Sequence, residues 1–151
     1  MNFLPNRIKR GFTLIELLVV IGILTVLFAI VLVAINPARQ FSQANNTQRR
    51  SDVNAILNAI HQYASDNKGV LPTSIDTTVR TMKNGAGAGI ADVCAQLVTK
   101  YLAAMPSDPT GTYTNCTTYD TKYTVTRSAT DSRVTVSATA AELSETISVT
   151  R

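Results

Sequence analysis

The amino-acid sequence predicts an α+β protein in which one long, bent N-terminal helix packs against a small antiparallel β-sheet. Three observations predict this fold. An almost wholly apolar run follows a short basic N-terminus. Apolar side chains then recur at helical spacing, which is typical of a half-buried helix. The last third of the chain is rich in threonine and alternates between apolar and polar residues, as solvated strands do.

A basic leader, residues 1–11, opens the chain. The sequence carries 14 Lys and Arg against 10 Asp and Glu, a net charge of +4. Arg7, Lys9 and Arg10 all precede Gly11, so the remainder of the chain is close to neutral. The positive charge therefore belongs mainly to the leader, and it gives no reason to expect a nucleic-acid partner.

The apolar run, residues 12–36, predicts a membrane-spanning helix. At about 1.5 Å per residue, the stretch from Phe12 to Ile35 is long enough to cross a hydrocarbon core of about 30 Å. A secretory signal peptide has a shorter apolar part, of about 7–15 residues, and the residues that follow here form a poor signal-peptidase site. The basic leader should stay in the cytoplasm, which makes the chain a single-pass protein of the cytoplasmic membrane with the remainder outside. The alternative is a buried core helix of a soluble protein.

Glu16 is the one charged residue in this run, where the only other interruptions are Thr13, Gly22 and Thr25. A charged side chain costs about 2.5–3.5 kcal/mol at the centre of a bilayer on insertion scales. A carboxylate in this position should therefore have a partner or a purpose. The alternative is that Glu16 lies in the first helical turn, where the helix dipole favours it and the headgroups keep it wet.

A second, amphipathic helix is predicted over residues 37–68. Asn36 suits an N-cap and Pro37 suits the first helical position, whereas in a continuous helix Pro37 would bend the axis. Both interpretations predict a break or kink near Asn36. Asn67 and Gly69 supply a stop. The predicted core-facing stripe consists of Val53, Ile56, Leu57, Ile60, Tyr63 and Ala64.

Residues 69–151 are predicted to form a small α+β head. Apolar spacing indicates a short helix over residues 90–102, and the two prolines, Asp and Gly of "MPSDPTG" indicate the turn that ends it. Alternation predicts three strands, marked by Tyr119, Thr121, Tyr123 and Val125, by Val134, Val136 and Ala138 after a turn at 128–132, and by Ile147 and Val149.

Cys94 and Cys116 lie outside the membrane in this topology, where an oxidising environment permits a disulfide. Such a bond would contribute roughly 3 kcal/mol in the chain-entropy model, and we favour it. The alternative is that Cys94 is a small buried side chain in its helix. The spacing matches no metal or redox motif.

The remaining polar residues give little indication of catalysis or ligand binding. His61 has no nearby Cys or carboxylate in the sequence and is predicted to be a packing residue, and Arg49 and Arg50 are predicted to lie on a solvated helix face. Asn45 and Asn115 fit the short glycosylation acceptor pattern. We find no nucleophile–base pair, metal cluster or nucleotide loop, so the sequence does not indicate an enzyme.

The junction "RGFTLIELLVVIGIL" resembles the signal and N-terminal helix of type IV pilins and type II secretion pseudopilins. The resemblance covers about residues 7–35. It implies that Gly11 is the last leader residue, cut by a prepilin peptidase, and that Phe12 becomes an N-methylated N-terminus. It further implies that Glu16, the fifth residue of the mature chain, guides subunits into a filament by meeting the new amine of a neighbour, so that each charge has a partner.

The resemblance therefore implies a pilin-like fold and a structural subunit of a type IV pilus-like filament. Its partners would be identical or related subunits, the peptidase and the assembly machinery of the inner membrane. The mature filament would be extracellular or periplasmic. The alternatives are a pseudopilin of a type II secretion system and a monomeric membrane-anchored binding module.

The same resemblance bears on cofactors, of which none is otherwise indicated. "PSDPTG" is similar to a loop of major pseudopilins that can hold calcium with other acidic residues. Asp108, with Asp120 or Asp131, would offer oxygen ligands. The competing interpretation, which we favour, is that Asp108 forms a turn.

Overall fold

The computed structural model describes residues 11–151, so residues 1–10 of the predicted leader lie outside the described residues. The chain divides into two compact units, one ending at Gln40 and one spanning Phe41–Arg151. We call the second unit the head. Each unit is treated by itself below.

The first unit is built on helix α1, Leu14–Ile35. None of its residues is buried, and large aliphatic side chains cover its whole circumference. Among the described residues, α1 alone is long and apolar enough to cross a membrane. Asn36 ends it in the left-handed region, with φ 48° and ψ 77°, which confirms the predicted break.

Helix α2 follows at once, Pro37–Asp66. The backbone carbonyl and the side-chain Oδ1 of Asn36 both accept from the Arg39 N–H, so Asn36 caps the new helix and Pro37 takes the first position, where a missing N–H costs nothing. At the other end Lys68 adopts φ 55°, and the Gly69 N–H donates to the Ala64 carbonyl at 2.7 Å. This is a Schellman ending, so the predicted stop is confirmed.

The core of the head lies between α2 and a six-stranded sheet. On α2, the predicted stripe is buried at Val53, Ile56, Leu57 and Ile60, and Tyr63 is partly buried against the same cluster. Burying a side chain of this kind stabilises the fold by about 1.5–3 kcal/mol. The strands are β1 Arg80–Lys83, β2 Ile90–Ala91, β3 Thr112–Asn115, β4 Thr118–Arg127, β5 Val134–Ala138 and β6 Ile147–Thr150.

The strand order is β2-β1-β4-β5-β6, with β3 also paired to β4. All strand pairs are antiparallel except β1 with β2, which is parallel. The sheet is therefore mostly antiparallel, as the sequence predicts, with one parallel pair. The predicted alternation on β4, β5 and β6 is confirmed. Their inward residues are Tyr119, Thr121, Tyr123 and Val125, then Val134, Val136 and Ala138, then Ile147.

The predicted helix over residues 90–102 is wrong in extent. Ile90 and Ala91 form strand β2, and only Cys94–Leu97, here α3, is helical. Val98 is extended, with ψ 146°, and Thr99 has φ 75°. Residues 90–91 instead pair with β1, and this pairing satisfies backbone groups of both strands.

Candidate processing and assembly site

The residues around Gly11 and Phe12 present an open segment of backbone. Residues 11–13 are not helical, and both Gly11 and Phe12 are exposed, the latter by 89%. A Cβ added at Gly11 would meet no heavy atom within 4 Å. Among the described residues, nothing covers the peptide bond between Gly11 and Phe12. The leader residues that precede Gly11 lie outside the described part of the chain.

Glu16 is bonded to the start of its own helix. Its Oε2 accepts from the Thr13 N–H at 2.8 Å and from the Thr13 hydroxyl at 2.9 Å. In return, the Glu16 N–H donates to the Thr13 hydroxyl at 3.2 Å. This is a complete capping box, the reciprocal arrangement that satisfies two free N–H groups of a helix start.

The capping box accounts for one oxygen of Glu16. Both accepted bonds reach Oε2, and within residues 11–151 no group donates to Oε1. Position and capping agree with the first-turn interpretation of Glu16. They also leave half of the carboxylate able to accept from a donor outside the chain, since an ionised carboxylate has about four acceptor sites. Thr13 and Glu16 have the T-x-x-E spacing of a capping box, so this cap could have been predicted from the sequence.

The apolar surface of α1 is far larger than the patches that soluble monomers expose. Membrane lipid or the same helix of other chains are the two surroundings that bury such a surface. The exposed carboxylate of Glu16 lies at one end of it, beside Phe12.

In the head, the burial of Arg49 contradicts the prediction from the sequence. The sequence predicts a solvated face for this residue, but its side chain is 1% exposed. Its Nε and Nη2 donate to the two carboxylate oxygens of Asp108, at 2.5 and 3.3 Å. It also donates to Asn46 and to Glu142, each at 3.0 Å. Arg49 precedes Val53 by four positions and so extends the apolar stripe, which was the signal for its burial.

Asp108 is held by the head itself. Besides Arg49, the N–H and hydroxyl of Thr110 donate to its carboxylate at 2.8 and 2.7 Å, as in a turn. Burial raises the pKa of Asp108, but the bonds from Arg49 and Thr110 outweigh it and hold that pKa below its ordinary value.

The partner oxygens suggested for calcium are engaged elsewhere. Asp120 pairs with Lys122, and Asp131 pairs with Arg133. No group of three or more His, Cys, Asp or Glu side chains in the described residues has metal-binding geometry. Glu142, the other carboxylate on Arg49, has its pKa lowered to about 2 by hydrogen bonds from Ser42, Asn45 and Arg49.

Cys94 and Cys116 form a disulfide in the structure, with their Cα atoms 5.3 Å apart. Cys94 is buried at the start of α3. The Tyr119 hydroxyl accepts from the N–H groups of Val93 and Cys94 at 3.1 and 3.3 Å, and donates to Asp92 at 2.7 Å. This tyrosine therefore caps a helix start beside the disulfide, a role that no local sequence pattern predicts.

The other candidates are distributed over the head. Arg50 is exposed and pairs with Glu145. Asn45 donates its amide to Glu142 at 2.9 Å. Asn115 is exposed at the end of β3, where its side-chain oxygen accepts from the Thr117 N–H. His61 is partly buried on α2.

Comparison with models of protein families matches residues 6–32 to the prokaryotic N-terminal methylation motif. The match contains Gly11, Phe12 and Glu16 and ends within α1, so the head lies outside it. Neither the curated proteins nor the solved structures contain a match to the chain.

Proposed function

We propose that this chain, which carries the N-terminal signature of type IV pilins and pseudopilins, is a structural subunit of a type IV pilus-like filament. The observation that carries the proposal is the coincidence of that motif with a helix whose whole apolar surface is exposed. The motif supports a structural role rather than catalysis. The apolar helix fits a membrane-anchored protein, and membrane and filament would cover the same surface in turn.

Processing is the first step of the proposed mechanism. A prepilin peptidase cuts between Gly11 and Phe12, on the cytoplasmic side. Water is added across the peptide bond, so that Gly11 gains a carboxylate and Phe12 gains a free amine. The amine then attacks the methyl group of a sulfonium donor bound by the enzyme; the donor leaves as a thioether and the nitrogen gives up one proton. Because residues 11–13 precede the helix, the peptidase need not unwind α1 to reach the bond.

Assembly is the second step. The free Oε1 of Glu16 accepts from the amine of Phe12 in a neighbouring subunit, while Oε2 keeps its bonds to Thr13. In apolar surroundings each charge alone is costly, and the pair is tolerable. Glu16 thus sets the stagger between subunits, and the aliphatic surface of α1 supplies the bulk of the contact.

Two alternative functions would use the same apolar helix. A pseudopilin of a type II secretion system would use the same processing and pairing in a shorter periplasmic filament. A monomeric membrane-anchored binding module would use α1 as an anchor only, and it would have no need of the Gly11–Phe12 junction. The proposed partners are further subunits, the peptidase and the assembly machinery of the inner membrane.

The processing step is tested by mass spectrometry of the protein purified from membranes. We expect a chain that begins at methylated Phe12, and we expect Gly11→Leu to block cleavage. An intact N-terminus in cells that contain the peptidase would contradict the proposal.

The assembly step is tested by two variants that separate charge from capping. Glu16→Gln removes the charge but keeps the capping box, because glutamine also serves at the third helical position. Thr13→Val removes the cap hydroxyl, at a cost of about 0.5–2 kcal/mol to the helix, but keeps the charge. We expect Glu16→Gln to abolish filaments and Thr13→Val to retain them, as scored by electron microscopy against processed protein on immunoblots. The opposite pattern would show that Glu16 acts as a helix cap.

A further inference from the structure

An asparagine followed by a glycine opens the connection between β1 and β2. Strand β1 ends at Lys83 and β2 begins at Ile90, and every residue between them is exposed. We call these residues, 84–89 with the sequence "NGAGAG", the glycine-rich loop. Its three glycines adopt φ values between 75° and 138°, in the region that favours glycine. The proposed filament function makes no use of this loop.

An Asn-Gly pair can react with itself. Asparagine is one of the thermolabile residues, because its side-chain carbonyl carbon lies within reach of the N–H of the next residue. Attack by that nitrogen closes a succinimide ring and expels ammonia. The reaction needs a nitrogen outside a helix or sheet, a following residue whose side chain does not obstruct the ring, and access to water.

Asn84 meets these three requirements. Gly85 follows it and has no Cβ, and both residues are exposed. Within the described chain, the Gly85 N–H makes no backbone bond, and its one hydrogen bond reaches Asp92 Oδ2 at 3.3 Å. This distance lies beyond the usual range of about 2.7–3.2 Å, so the nitrogen is weakly held. The Asp92 carboxylate also lies where it can accept the proton that the nitrogen has to lose.

The other asparagines that the structure describes do not meet the requirements. Only Asn84 is followed by glycine. Asn36 precedes Pro37, which has no N–H. The side chains of Asn67 and Asn115 are held by local hydrogen bonds of 2.8 and 2.7 Å. The remaining ones lie inside α2, where the next N–H is bonded within the helix: Asn45, Asn46, Asn54 and Asn58.

We propose that Asn84 and Gly85 form a site of spontaneous deamidation. The Gly85 nitrogen attacks Cγ of Asn84, so that a carbon–nitrogen bond forms and the bond from Cγ to Nδ2 breaks. The proton of the attacking nitrogen passes to the leaving group, which departs as ammonia. Water then opens the ring at one carbonyl or the other and leaves an aspartate or an isoaspartate at position 84.

The group that leaves is the one that ties the loop to its neighbour. Asn84 Nδ2 donates to the Cys116 carbonyl at 3.2 Å, in the turn between β3 and β4. A carboxylate at this place has no hydrogen to donate, and it is repelled by the carbonyl oxygen and by Asp92. Deamidation therefore releases the glycine-rich loop from that turn, while the disulfide to Cys94 keeps Cys116 in place.

The test is peptide mapping of the full-length protein, purified in mild detergent. One sample is incubated in warm, mildly alkaline buffer and the other is kept cold at mildly acidic pH. We expect the peptide that contains Asn84 to gain the mass that exchanges NH for O and to split into an aspartate and an isoaspartate form. This fraction should grow with time, while the peptides that contain Asn45 and Asn115 stay unchanged.

Two glycine variants separate the attacking nitrogen from the shape of the loop. Gly85→Ala places a Cβ on the residue that attacks and should lower the deamidated fraction to that of the other asparagines. Gly87→Ala strains the same loop, because Gly87 has φ 138°, but it leaves the Asn-Gly pair intact. It should deamidate as fast as the wild type. Circular dichroism checks that both variants keep their fold.

A third variant tests the release of the loop. Asn84→Asp fixes the aspartate product from the start. In ¹⁵N-labelled protein it should shift the amide signals of residues 115–117, and aged wild-type protein should show the same shifts.

Three results would overturn the proposal, and each is independent of filament formation. A deamidated fraction at Asn84 no larger than at Asn115 would exclude the site. Equal slowing by Gly85→Ala and Gly87→Ala would show that the Gly85 nitrogen has no special role. Unshifted signals of residues 115–117 in Asn84→Asp would exclude the coupling to the β3–β4 turn.

Discussion

The ion pair between Arg49 and Asp108 should be among the most sensitive points of the head. Each side chain is 1% exposed, and two hydrogen bonds join them. Removing one member of a buried pair leaves the other charged and desolvated, which typically costs about 3–5 kcal/mol. The free energy of unfolding of a whole domain is only about 5–15 kcal/mol. Arg49→Met and Asp108→Asn are therefore each expected to remove a large part of the head's free energy of unfolding.

The remaining partners set the size of each effect. After Arg49→Met, Asp108 retains its two bonds from Thr110; after Asp108→Asn, Arg49 retains Asn46 and Glu142. Each single variant should therefore lose about 3 kcal/mol of the free energy of unfolding, near the lower end of that range. The double variant Arg49→Met/Asp108→Leu leaves no fully buried charge, because Glu142, which loses its bond from Arg49, is 34% exposed and keeps its bond from Asn45. Well-packed apolar replacements of buried pairs are often neutral. It should cost far less than the sum of the two single changes.

Urea unfolding followed by tyrosine near-ultraviolet circular dichroism measures this in the full chain, because all five tyrosines lie in the head. The matched control is Arg50→Met, which removes an exposed pair with Glu145 and should cost under about 1 kcal/mol. If Arg49→Met were as mild as Arg50→Met, or if the double variant were additive, the assignment of a desolvated, coupled pair would be refuted.

Three further outcomes are expected. Folding lowers the pKa values of Asp108 and Glu142. Their contribution to the free energy of unfolding is therefore present above about pH 4.5 and is lost as the pH falls towards 2, so the urea midpoint should drop over that window. Reduction of the bond between Cys94 and Cys116 should lower the free energy of unfolding by roughly 3 kcal/mol, measured with and without dithiothreitol, and no change would contradict a disulfide in the purified protein. Gly111→Ala should destabilise the head by about 1–3 kcal/mol, because its Cβ would lie 2.7 Å from a backbone carbonyl oxygen; a melting temperature equal to wild type would show that the loop can shift.

The elements whose residue pattern recurs along many positions were predictable from the sequence. Helix α1 has a uniform apolar surface, α2 repeats its apolar residues at helical spacing, and β4 and β5 alternate strictly. Each pattern is local and recurs over many residues. The N-terminal methylation motif was likewise visible, because Gly11, Phe12 and Glu16 belong to one short pattern.

What the sequence did not reveal depends on distant partners. Strand β1 has one buried residue and β2 has only two residues, so neither carries a period of its own. Both exist because β4 and β1 present free backbone edges to them. The burial of Arg49 similarly depends on Asp108, which the chain brings to it from a proline-rich loop.

The bonds between α2 and the segment that precedes β6 bear on the order in which the head folds during synthesis. Four residues of α2 bond to Glu142 or Glu145, which lie 93–99 positions later in the chain: Asn45, Asn46, Arg49 and Arg50. Contacts at such separation form late, because a long loop must close first. During vectorial synthesis α2 emerges long before its polar partners, so its inward face stays unsatisfied until the last strand has been released. The head is thus closed by its final residues, and a chain whose translation stops before Glu142 presents an open α2 to chaperones and proteases.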